Sequence, residues 1–132
     1  MLRTRARKRG RENDGVTALL IASSAGNICD VQELIRNGVD ANVLDRNGRT
    51  ALHHASKNGN VDVARVLIQN GTAVNAVDGS NKTSLHLASR YGHSDVAKVL
   101  IQNGADVYAV RMDKWTALHL AAMEGHVDVA KV

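Results

Sequence analysis

Six histidines and one cysteine are the side chains of this sequence with the widest chemical range. Imidazole and thiolate bind zinc, and a thiolate beside an imidazole makes a nucleophile. The spacing argues against both uses. His53, His86 and His119 recur every 33 positions, and residues repeated at a fixed step make poor candidates for one unique site. Cys29 occupies the register of Asp62, Asp95 and Asp128, with no histidine expected beside it as a base, so a buried or half-buried structural thiol is expected. No glycine-rich phosphate loop, paired catalytic carboxylates or nucleophile elbow is present. The expectation is no catalytic residue, no metal and no cofactor.

The elements that carry these residues are repeats. Thr17-Ala18-Leu19-Leu20, Thr50-Ala51-Leu52-His53, Thr83-Ser84-Leu85-His86 and Thr116-Ala117-Leu118-His119 are four statements of one motif. Gly26, Gly59, Gly92 and Gly125 keep the same step, as do Gly38, Gly71 and Gly104. Each unit continues with Gly-Asn or Gly-His and an apolar stripe at helical spacing, as in Val63, Val66, Leu67 and Ile68. A period of this length means a stacked array. The motif, over residues 12–132, resembles the ankyrin repeat. The usual Thr-Pro-Leu-His reads Thr-Ala or Thr-Ser here, and alanine in a first helical turn costs little.

The resemblance implies an all-α solenoid of four helix-loop-helix units with projecting finger loops, at about 12–41, 42–74, 75–107 and 108–132. Thr17, Thr50, Thr83 and Thr116 then read as caps of the first helices. Successive units would set equivalent histidines apart by about 8–10 Å, the spacing of packed helices, whereas zinc needs its ligands within about 2 Å of one centre. The resemblance therefore implies that His53, His86 and His119 brace neighbouring loop backbone. Gly48 and Asn81 fall where a turn needs a left-handed residue. Asn42 resembles a site of asparaginyl hydroxylation in the family, although the simpler reading has Asn42 and Asn75 stabilising their turns.

The first unit departs from the pattern at Leu20, and the fourth at Tyr108, Arg111 and Lys114. Val132 stands in the register of Val99, in mid-stripe, which suggests a fragment of a longer array with a fraying last unit and weak self-association of a monomer at that edge. The chain has 132 residues, 44% hydrophobic and 2% aromatic with no Phe, so its core is aliphatic. The net charge of +4 sits in Arg3, Arg5, Arg7, Lys8, Arg9 and Arg11, and without them the remaining 11 bases and 13 acids give −2. Residues 1–11 are expected to be a disordered basic tail. That tail reads as a nuclear-import signal, as a phosphate-backbone contact or as a chance charge run; an organelle transit peptide is disfavoured, since the tail lacks serine and an apolar face. No apolar run is long enough to span a bilayer and no signal segment is evident, so a cytoplasmic or nuclear location is expected.

The units differ most at positions expected to face a concave groove. Before the threonine stand Val16, Arg49, Lys82 and Trp115; at the exposed helix ends stand Ser24, Lys57, Arg90 and Met123, then Ala25, Asn58, Tyr91 and Glu124. The loop tips add Arg46, Asn47, Ser80, Met112 and Asp113. Trp, Tyr and Arg dominate interface energies and Met adapts to irregular surfaces. A protein-binding groove with a basic middle and an aromatic-thioether end is expected. The alternative is ordinary solubilising charge, or a nucleic-acid adaptor that uses the tail.

Overall fold

The computed structural model describes residues 8–107, with side chains from Gly15 onward. Six helices follow one another: α1 (Lys8–Ala25), α2 (Ile28–Arg36), α3 (Ala51–Asn58), α4 (Val61–Gln69), α5 (Ser84–Arg90) and α6 (Ser94–Gln102). The described residues hold no β-strand, only an isolated antiparallel bridge between Leu44 and Thr50. The helices pair as α1/α2, α3/α4 and α5/α6. The first helices α1, α3 and α5 pack in succession, as do the second helices α2, α4 and α6, which gives two layers. The expected fourth unit, with Thr116, His119, Met112, Trp115, Met123 and Glu124, lies outside the described residues, as do Arg5 and Arg7.

The helix boundaries follow from local chemistry. Thr50 takes an extended backbone, and its hydroxyl accepts from the His53 amide at 3.2 Å. Thr83 does the same for His86. These caps satisfy amides that the first turn leaves without a helical partner. Gly59 ends α3 in the left-handed region at φ 74°. A side chain is excluded there twice over, since a Cβ on Gly59 would stand 2.6 Å from the His93 ring.

Two expectations for the first unit are corrected. Thr17 is no cap: α1 runs unbroken through it for 18 residues, and Thr17 is exposed on its surface. The helix also begins at Lys8, so Lys8, Arg9 and Arg11 belong to α1 and not to a disordered tail. Glu12 stands in the register of Asp45 and Asp78. Glutamate favours helix, whereas the short aspartate side chain gathers turn amides.

The core is a ladder of register-equivalent aliphatics. Leu19, Leu52 and Leu85 are buried in the first layer, and Val63, Leu67, Val96 and Leu100 in the second. The first unit breaks this ladder on one face. Asp30 and Glu33, both exposed, stand where Val63, Val66, Val96 and Val99 are buried, and Leu34 is half-buried where Leu67 and Leu100 are fully so. A polar outer face is what a capping repeat requires.

A second ladder is polar. Ser23, Ser56 and Ser89 are each at most 1% exposed, and their hydroxyls have no hydrogen-bond partner. A buried hydroxyl without a partner costs about 1–3 kcal/mol. Ser56→Ala is therefore expected to raise stability by about 1 kcal/mol, read as a higher urea midpoint with unchanged slope.

Candidate protein-binding surface

The turn before each first helix is built around one aspartate. Asp45 accepts from the Asn47 amide at 2.8 Å, the Arg49 amide at 2.9 Å and His54 Nε2 at 2.9 Å. Asp78 accepts from the Ser80 amide at 2.8 Å, the Lys82 amide at 2.9 Å and Arg49 Nε at 3.2 Å. Burial alone would push both carboxyls up. The amide donors, with His54 at Asp45 and Arg49 at Asp78, outweigh it and hold both below the ordinary carboxylate range. Gly48 and Asn81 take left-handed angles, φ 76° and 62°, which close the two turns. Neighbouring turns touch: the Gly79 amide donates to the Asn47 carbonyl at 2.9 Å.

His53 ties one unit to the next. Its Nδ1 accepts from the Thr50 amide at 3.0 Å, and its Nε2 lies 2.9 Å from the Lys82 carbonyl. An amide can only donate and a carbonyl only accept, so the ring is neutral with its proton on Nε2. His86 Nδ1 accepts from the Thr83 amide at 2.9 Å in the same way. A further link was not foreseen in its detail. Asn60 donates to the Ser23 and Ser24 carbonyls at 2.8 and 2.9 Å, and His93 Nε2 lies 2.9 Å from the Lys57 carbonyl. These two residues share a register, and each binds the end of the preceding first helix. Asn42 and Asn75 bridge successive turns. Asn42 joins Gly71 and Ala73, and Asn75 joins Gly104 and Asp106.

The expected burial of Cys29 is corrected. The thiol is exposed, because the first turn of α2 faces solvent as Asp62 and Asp95 do in α4 and α6. The register with two aspartates was the signal for it. Among the described residues no three His, Cys, Asp or Glu side chains gather as a metal site.

The variable positions fall into two groups in space. Arg46, Asn47 and Arg49 line a hollow between the turns with Asp78, Gly79 and Ser80. Arg49 is engaged with Asp78 there. At the other end of the first helices Lys57 Nζ lies 5.9 Å from the Tyr91 ring centre, and the Arg90 guanidinium 5.6 Å from it. Both are within reach of a cation–π attraction. Asn58 donates to Ser24 Oγ at 2.9 Å, across units. Lys82 is half-buried beside Thr83.

The family model described as Ankyrin repeats (3 copies) matches residues 3–78, 19–111 and 72–132. The chain belongs to the ankyrin repeat family. A search of the curated proteins found no match. Ankyrin repeats generally mediate protein–protein interaction, and ankyrin repeat domains are typically non-enzymatic. No helix among the described residues is long and apolar enough to cross a membrane.

Proposed function

We propose that this chain is a non-catalytic scaffold that binds another protein through the concave groove and the finger loops of four stacked units. The supporting observation is a division of labour. Thr50, Thr83, His53, the turn aspartates and Asn60 use their polar atoms inside the framework, whereas Lys57 and Tyr91 meet on the surface at positions that change from unit to unit. A stack braced this way presents its surface preorganised, which lowers the ordering cost of binding. The contact set is Arg46, Asn47, Arg49, Lys57, Asn58, Lys82, Arg90 and Tyr91, extended by Met112, Trp115, Met123 and Glu124. Its working location is the cytoplasm or the nucleus.

Affinity capture from nuclease-treated lysate tests the reading. Tyr91→Ala with Lys57→Glu is expected to lose the captured protein at an unchanged melting temperature. Glutamine at Arg5, Arg7, Lys8, Arg9 and Arg11 is expected to leave capture intact. The reverse pattern, with steep loss in salt, would make the basic segment the binding element of a nucleic-acid-associated adaptor.

A further inference from the structure

Charge is segregated between the two helix layers. Over residues 15–107 the first helices and their turns carry five bases, Arg46, Arg49, Lys57, Lys82 and Arg90, against Asp45 and Asp78, a net +3. The second helices and the segments after them carry three bases against six acids, a net −3. The whole is neutral, so composition alone conceals the polarity. Both acids of the basic layer are also covered by N–H donors of their own turns. Apolar surface accompanies the positive charge. Tyr91 is 42% exposed beside its two cations, and Leu44 and Val77, one register apart on the approaches to the turns, are 55% and 48% exposed.

This combination selects among partners. A single nucleic-acid strand carries a charge about every 3.4 Å and gains affinity by stacking bases on several aromatic rings. Here the described surface offers one exposed aromatic ring, and its cations fall in separate groups, Arg46 and Arg49 at the turns and Lys57 and Arg90 about Tyr91. Spaced cations on a layer that also exposes apolar side chains suit a polypeptide. We propose that the groove takes an acidic peptide segment that seats one large apolar side chain against Tyr91, between Lys57 and Arg90. This rests on the protein-binding reading and names the chemistry of the partner.

The full-length chain, immobilised, is panned against a random peptide display library, and enriched peptides are synthesised for fluorescence anisotropy. Enriched peptides are expected to carry net negative charge and an aromatic or large aliphatic residue. Lys57→Glu and Tyr91→Ala are each expected to weaken binding about tenfold. Lys98→Glu, the same charge change on the other layer, is expected to leave affinity within about twofold, because screening confines the effect to about 10 Å. Neutral or basic peptides that lose affinity with Tyr91→Ala would overturn the acidic specificity while the groove stands. Absence of enrichment, or enrichment insensitive to both variants, would overturn both readings. A labelled oligothymidylate bound through Lys57, with no peptide enriched, would assign the surface to nucleic acid and overturn the proposal.

Discussion

Replacing His53 by alanine is expected to cost about 3 kcal/mol or more. The ring is fully buried and fills space between units. Its removal strands the Thr50 amide and takes one of two donors from the Lys82 carbonyl, which keeps the Asp78 amide. A buried group left without a partner costs about 1–3 kcal/mol, and the vacated volume adds to that. His54→Ala supplies the contrast. That ring is half-buried and makes one bond, to Asp45, so about 1 kcal/mol is expected. Urea titration followed by circular dichroism reads both. Equal losses for the two variants would show that the bridge between units carries no special weight.

The same ring sets a pH dependence. Burial pushes His53 below the ordinary histidine value; the Lys82 carbonyl and Asp78 oppose this, and Arg49 and His54 add to it. The folded state therefore favours the neutral ring. Its contribution is complete above about pH 6.5 and is lost as pH falls below that value toward the lowered folded pKa. The carboxyls of Asp45 and Asp78 are also lowered, so their contribution is present above the ordinary carboxylate range and is lost in a second, more acidic step. Urea midpoints between pH 7.5 and 5 are expected to fall for the native chain and to fall less for His53→Ala.

Much of this framework was legible from repetition alone. A threonine restated every 33 residues before a helical stripe announces its cap, and Asn81 in a glycine register announces left-handed geometry. What escaped depends on the offset between units, which one unit's sequence does not encode. The Arg49–Asp78 and Lys57–Tyr91 pairs each join two units, and neither is suggested by residue type. The start of α1 was misplaced for another reason. A threonine that caps two other helices was read as a cap where the turn before it is missing, and a glutamate for aspartate at position 12 was the clue. Asp30 and Glu33 were equally readable, as acids standing in a valine register. They mark the face on which the first unit stops resembling the rest.

Asp78 is the residue through which the turn, the neighbouring unit and the charged surface are coupled. Its carboxylate is nearly inaccessible and accepts from two amides of its own turn and from Arg49 of the preceding one. Alanine at this position strands both amides and releases Arg49. Hydrogen bonds to a charged group contribute about 1.5–3 kcal/mol each, so a loss near 3 kcal/mol is expected overall, allowing for rehydration of the opened turn. Asp78→Asn keeps one accepting oxygen and should lose about half as much. The Lys82 carbonyl that closes this turn is also the acceptor for His53. The losses in Asp78→Ala and His53→Ala are therefore expected to overlap. The double variant should fall short of their sum by about 1 kcal/mol, where independent sites add within about 0.5 kcal/mol. Strict additivity would mean that the turn holds its shape without the carboxylate, and that His53 finds its acceptor whether or not Asp78 is there.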